Sequence, residues 1–213
     1  ISACLVGSEM CIRDRYRNNI NPYLSEQRGT AMLMDKNNSI LLVIDVQENL
    51  TPVQESPREV INGCTTLLEV AGELNIPCVI AEQDHKVFGQ TMIDLRRVLK
   101  KDTKYYEKDT FSCYKNDTIR KVVEDSGRKQ IIIAGLEVHL CVLQTAIDFH
   151  NAGYEVFVVT DACSSRSNFQ NALGLQRLAK NGIDIVSREM VLFEWLDRSG
   201  SELFDELWER RLR

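Results

Sequence analysis

The chain of 213 residues has only three histidines, and its seven cysteines include no C-x-x-C pair. An odd, scattered set of cysteines argues against a disulfide framework. Without paired thiols a thiolate zinc site lacks its ligand spacing. Both observations point to a reducing, cytoplasmic setting. His139 and His150 would stand about 16 Å apart along a helix at 1.5 Å per residue, too far to share a metal. No stretch approaches the roughly 20 apolar residues of a membrane span. No long basic run is present either, and 26 Lys and Arg against 31 Asp and Glu leave a net charge of −5. A phosphate-tracking nucleic-acid binder or a polybasic membrane binder is a poor fit to that charge. No G-x-G-x-x-G follows the first apolar run, and no G-x-x-x-x-G-K-[ST] or G-x-S-x-G occurs. Dinucleotide binding, P-loop chemistry and a serine α/β-hydrolase are therefore unsupported.

What is present is an ordinary globular composition, 44% hydrophobic and 27% charged. A chain of this length buries roughly 70% of its unfolded surface and needs no staple to fold. Residues 1–34 read differently from the rest. They show no sustained period and are punctuated by Asn18, Asn19, Asn21, Pro22, Ser25 and Gly29. They also lack the pattern of a signal peptide. The segment Leu5 to Arg15 resembles translated sequencing-adapter sequence. The expectation is a disordered or non-native tail over 1–34, a native start at Met32 or Met34, and one domain over 35–213.

From Ser39 onward short apolar runs alternate with helical patterns. Ser39 to Ile44, Cys78 to Ala81, Gln130 to Ala134, Glu155 to Thr160 and Ile183 to Val186 read as strands, and Lys104 to Glu107 as a short extended piece. The continuous apolar runs suit strands buried on both faces. Ser56-Pro57-Arg58-Glu59 reads as a helix start with Ser as N-cap. Further helices are expected near Met92 to Leu99, around Ile119 to Val123, over Leu140 to Ala152, Ser167 to Asn181 and Ser201 to Leu212. The terminal helix would present Leu203, Phe204, Leu207 and Trp208 on one face. This alternation predicts an α/β fold: an open, mostly parallel sheet with helices on both faces, a three-layer α/β/α arrangement. Such sheets bind ligands at the carboxyl ends of their strands.

Asp45, Glu82-Gln83, Lys108, the segment Gly135 to Cys141, and Asp161 all follow expected strands and should converge on that edge. Cys141 would lie in the first turn of a helix. Free N–H groups and the helix dipole would favour its thiolate and could hold an oxyanion. A small buried hydrophobe is the plainer reading of such a cysteine. A carboxylate at Asp45, straight after four apolar residues, is costly unless it is partnered or protonated. It could take a thiol proton and pass it to a leaving amine. Lys108, taken alone, would be a solvated side chain; beside Asp45 and Cys141 it would stabilise their charges. Cys163-Ser164-Ser165-Arg166 reads as a strand-to-helix turn that lines the cleft or an interface.

Val43-Ile44-Asp45-Val46-Gln47, Lys108-Asp109-Thr110-Phe111-Ser112 and Gly135-Leu136-Glu137-Val138-His139-Leu140-Cys141-Val142 together resemble the isochorismatase-like cysteine hydrolases, in particular the isochorismatase-domain-containing subgroup. Segments like Glu82-Gln83 and Asp161 to Ser167 recur there too. The resemblance implies the Rossmann-like isochorismatase-type fold, with Asp45 as general base, Lys108 as its electrostatic partner and Cys141 as nucleophile. It also implies a cis peptide at Leu136–Glu137, with the amides of Leu140 and Cys141 aimed at an oxyanion. Gln47, Gln83 and Phe111 are expected in the substrate pocket. Nicotinamidases of the superfamily carry a metal on an Asp and two His after the second strand. Here Asp84 and His85 are adjacent with no second histidine nearby, so no metal and no cofactor are expected. The implied activity is hydrolysis of a small amide or related C–N bond through a thioester, by a homo-oligomer. A non-catalytic ligand-binding protein on the same fold, or a redox-responsive thiol protein using Cys113 or Cys163, remains the alternative.

Overall fold

The computed structural model describes residues 32–207 and 209. Six parallel strands form one sheet in the order β3-β2-β1-β4-β5-β6: β1 Ser39–Ile44, β2 Cys78–Gln83, β3 Tyr105–Lys108, β4 Gln130–Leu136, β5 Glu155–Ser164 and β6 Asp184–Val186. The helices are α1 Pro57–Glu73, α2 His85–Phe88, α3 Ile93–Val98, α4 Asp117–Asp125, α5 Leu143–Asn151, α6 Asn168–Lys180, α7 Arg188–Leu196 and α8 Glu202–Leu207. Alternate residues of the central strands face opposite layers, because side chains switch faces at every residue of a strand. Leu41, Val43, Ile132, Ala134, Phe157 and Val159 pack with Leu67, Leu68 and Val70 of α1 and Leu192 and Trp195 of α7. Ile40, Leu42, Ile44, Ile131, Ile133 and Val158 pack with Ile119 of α4, Ala146 and Phe149 of α5 and Leu178 of α6. A sheet covered on both faces explains why β1 and β4 are buried at every position and apolar after their first residue.

The expected strands are present; β1 and β6 end where expected, and the other four have longer carboxyl ends. β2 and β4 each run two residues further, to Gln83 and Leu136, and β5 continues to Ser164. That extension follows a register shift against β4: Ile133 pairs with Val158, but Gly135 pairs with Cys163. A bulge of this kind leaves no apolar alternation to read in sequence. The helix expected from Leu140 begins instead as a π-helical turn, Val138–Val142, before α5. Ser56 is the N-cap of α1, yet its side chain makes no capping bond. The side-chain caps are Asn116, Ser167 and Ser187.

Two helices were not anticipated from sequence, the short α2 and α7. In α7 the apolar spacing of Val191, Leu192, Trp195 and Leu196 was available, but exposed Met190 and Phe193 blur its amphipathic pattern. Trp195 is fully buried and donates Nε1–H to Ser39 Oγ at 3.0 Å. Trp195→Ala should therefore cost about 3–5 kcal/mol. Thermal melts should show Tm lower by at least about 6 °C; a shift under about 2 °C would mean that α7 contributes little to the core.

The compact unit begins at Met34, one residue before the expected boundary. Met34 is buried and its N–H donates to Glu194 Oε2 at 2.7 Å. The tail expected over residues 1–34 otherwise falls almost wholly outside the described residues. Trp208 and the end of the terminal helix also lie outside them; Leu207 is buried against the core, with Leu203 and Phe204 packed beside it.

Candidate active site

In this strand order the chain leaves β1 to one side toward β2 and β3, then returns on the other side at β4. The carboxyl ends of β1 and β4 therefore flank a topological switch point, where open α/β sheets bind ligands. Asp45 ends β1 in a left-handed conformation, φ 55°. Aspartate tolerates this region better than most residues, at a cost of order 1 kcal/mol. Across the switch point, Gly135 has φ 119°, and a Cβ built on it would lie 2.1 Å from the Ile44 carbonyl oxygen. Only glycine lets β4 approach the end of β1 so closely.

Three expected residues come together there. Lys108 Nζ lies 2.8 Å from Asp45 Oδ2, 2.6 Å from Gln83 Oε1 and 3.6 Å from Cys141 Sγ. An ammonium has three protons, and these three acceptors match them. The Lys108 and Asp45 side chains are 0% and 1% exposed. The second Asp45 oxygen, Oδ1, is buried without a hydrogen-bond donor of ordinary geometry. It is the acceptor left over for a proton.

Burial pushes the Asp45 carboxyl above its ordinary value, and Lys108 opposes the shift without cancelling it. Burial is the largest influence on the Lys108 ammonium and pushes it down, but Asp45, Cys141 and Cys113 together outweigh this and hold it above an ordinary lysine. Burial also raises the Cys141 thiol, Asp45 raises it further, and Lys108 only partly offsets them. The expectation of an acidified thiol at a helix start is thus overturned. Cys141 sits inside a buried π-helical turn next to a carboxylate, so desolvation and like charge defeat the dipole. These influences favour the protonated thiol beside the Lys108–Asp45 pair.

The turn before Cys141 is tightly anchored. The Leu136–Glu137 peptide is cis. The Glu137 carbonyl accepts from the amides of Leu140 at 3.0 Å and Val142 at 3.2 Å. The Leu140 N–H therefore has a partner within the turn and does not stand free for an oxyanion, a correction to the expected pair of donors. The Glu137 carboxylate, almost fully buried, accepts from Arg166 N at 3.0 Å and Arg166 Nε at 2.9 Å. Burial pushes Glu137 up, but the Arg166 bonds and charge win and hold it below an ordinary glutamate. Glu137 therefore ties the loop after β4 to the loop after β5. Sequence reading placed Arg166 in the strand-to-helix turn but offered no signal that Glu137 was its partner.

The remaining expected residues divide. Gln83 is half-buried, and because Lys108 can only donate, the bonded atom is Oε1. Gln83 Nε2 then remains an unengaged donor among the described residues. Phe111 is 56% exposed in the loop after β3. Gln47 is fully buried, with both amide atoms bonded to backbone, and does not line an open wall. Asp161 turns away to accept from Arg188 N, and Glu82 accepts from Thr91. His139 Nδ1 is paired with Ser165 Oγ at 3.0 Å. His85 pairs with Glu107. Among the described residues no cluster of three His, Cys, Asp or Glu could hold a metal, and the five cysteines are free thiols.

A doubly wound parallel sheet with a buried Asp-Lys-Cys cluster at its switch point defines an α/β protein whose ionisable groups gather where such sheets bind ligands. Residues 39–190 match the Isochorismatase domain family, and the chain belongs to it. It is 32% identical over 172 residues to the secreted isochorismatase effector Isc1 of Phytophthora sojae, covering 79% of this chain and 82% of that protein. It is 29% identical over 174 residues to isochorismatase domain-containing protein 2 of Xenopus laevis, covering 82% and 83%. Among solved structures, the MAR1 ribonuclease of Caenorhabditis elegans superposes with a TM-score of 0.80 at 28% identity, covering 85% of this chain and 93% of that one. The YcaC gene product of Escherichia coli shares the fold, with a TM-score of 0.76 at 23% identity over 87% and 88% of the two chains. Among the described residues no helix is long and apolar enough to cross a membrane. The protein is an isochorismatase-family hydrolase.

Proposed function

We propose that this hydrolase cleaves a small amide or related C–N bond through a thioester on Cys141. The observation that carries this reading is the buried Lys108 ammonium, 2.8 Å from Asp45 Oδ2 and 3.6 Å from Cys141 Sγ. As the sulfur attacks the carbonyl carbon, Asp45 accepts the thiol proton and the carbonyl pair moves onto oxygen. The Cys141 amide and Gln83 Nε2 are the donors proposed for that oxygen. Collapse breaks the C–N bond, and the proton held by Asp45 leaves with the amine. Water then gives a proton to Asp45 and attacks the thioester; the acid departs and the sulfur regains its proton. Lys108 stays charged throughout and limits the cost of moving negative charge between carboxylate and sulfur. Phe111 would form an apolar part of the substrate wall. The steps call on no metal or cofactor.

The test is incubation with a panel of small amides, followed by mass spectrometry for an acyl adduct on Cys141 and an assay for released amine. Absence of both for every amide would count against the proposal. The likeness to a MAR1 ribonuclease supplies a second reading, cleavage of RNA. The net charge of −5 opposes it, since RNA binding rests on neutralising phosphates. An RNA arm in the same assay decides between the two.

The pH profile follows from the site. Asp45 must be ionised to accept the thiol proton, so kcat/KM should fall as pH drops through its pKa. Burial places that acidic limb above the 3.8 of an ordinary aspartate. A limb at or below that value would remove Asp45 from the role of base. We place the protein in the cytoplasm, supported by the five free thiols. Self-association is supported by Phe169 and Leu173, two exposed apolar side chains one turn apart on α6.

A further inference from the structure

Lys108 ends a short edge strand of the sheet. β3 is four residues long, lies at the sheet edge, and pairs only with β2. A short edge strand opens more readily than a central one. Yet Lys108 must stay within bonding distance of Asp45, which sits two strands away at the end of β1. Gln83 is the ladder partner of Lys108 and also holds its ammonium through Oε1. Gln83 is in turn clamped by Gln47, two residues beyond Asp45. The Gln47 side chain accepts from Gln83 N at 2.8 Å and donates to Gln83 O at 3.0 Å and to Gly89 O at 2.7 Å. Two opposed bonds between one side-chain amide and one backbone residue fix both distance and rotation. The Gln47 side chain at the centre of the clamp is fully buried, while Gln83 is half-buried, so losing the bonds would leave the Gln47 amide without partners. None of the three Gln47 bonds reaches Asp45 Oδ2, Lys108 Nζ or Cys141 Sγ.

We propose that Gln47 is a positioning residue that holds Lys108 against Asp45 and Cys141 through Gln83. The inference rests on the cysteine-hydrolase reading for its purpose, but its test does not need a substrate. In the full-length protein, the rate of Cys141 alkylation by iodoacetamide is measured across pH, beside thermal melts, for wild type, Gln47→Met, Gln83→Met and the double variant. Methionine keeps the volume and removes the bonds. Loosening Lys108 withdraws the positive charge that opposes the upward push on the thiol. Alkylation at a fixed pH near 8 should slow about tenfold in Gln47→Met, equivalent to one pH unit of thiolate population. Gln83→Met, which leaves the backbone clamp in place but frees Lys108, should slow it as much, and the double variant no further. That lack of additivity marks two residues acting through one path.

An alkylation profile for folded Gln47→Met that overlays wild type overturns the proposal. Additive slowing in the double variant also overturns it. If Gln47→Met fails to fold, an unshifted Gln83→Met profile does the same. If the profiles shift together while no amide yields product, the positioning role stands and the hydrolase reading fails. If amides turn over equally in wild type and Gln47→Met with identical pH profiles, the hydrolase reading stands and the positioning role fails.

Discussion

Replacing Cys141 by alanine should reduce amide turnover by at least about 10⁴-fold and eliminate any acyl adduct. A covalent nucleophile has no substitute once removed, and loss of one member of such a unit costs nearly as much as loss of all. Fold stability should change little. Cys141 is 7% exposed in a tight turn, and its sulfur touches Lys108 at 3.6 Å without being the main partner of that ammonium. Asp45 and Gln83 keep Lys108 satisfied in the variant. Activity and melting temperature should therefore separate cleanly, and both are read from one preparation. Turnover within tenfold of wild type in Cys141→Ala would place the chemistry on another group.

Gly135→Ala should do the opposite and act through the fold. The new Cβ would meet the Ile44 carbonyl oxygen at 2.1 Å, and φ 119° is a region that alanine rarely adopts. The contact is with backbone at the carboxyl ends of two central strands, so no side chain can rotate to relieve it. β1 and β4 must part where Asp45 leaves the sheet. We expect a loss of at least about 4 kcal/mol, at the upper end for single substitutions, or failure to accumulate folded protein. Chemical denaturation should show the midpoint moving with m unchanged if the variant folds. A loss under about 1 kcal/mol would show that the strands can part cheaply. Any folded Gly135→Ala should also have lower activity than its folded fraction explains, because the clash lies one residue from Asp45.

Much of the scaffold could be read along the chain. The runs Ser39 to Ile44 and Gln130 to Ala134 are apolar at every position or nearly so, and only a strand covered on both faces makes that pattern. Helices α1 and α6 announced themselves by spacing and by Ser56 and Ser167 before them. The ends were less legible. β5 past Thr160 pairs through a shifted register, and a register shift is a relation between two strands rather than a property of either. The π-helical turn around Cys141 replaces the helix start that spacing suggested, because the Glu137 carbonyl is shared between two amides there.

For the site, residue types at strand ends were enough to nominate Asp45, Lys108 and Cys141, since chemistry collects where strands of an open parallel sheet end. Their electrostatic state was not. An expected acidified thiol became a raised one once burial and the neighbouring carboxylate were known. Gln47 and Gln83 were legible only as polar residues near that edge. Which of them faces the cleft and which clamps backbone depends on partners 36 residues apart in sequence.

By itself, then, the sequence determined the layered α/β class and nominated the candidate reactive groups, because hydrophobic period and residue chemistry are local properties. Only the tertiary structure decided how those groups are charged, that the Leu140 amide is already bonded and which acceptors Lys108 meets. Desolvation, ion pairing and hydrogen-bond partnership are set by neighbours that the chain brings together from its distant parts.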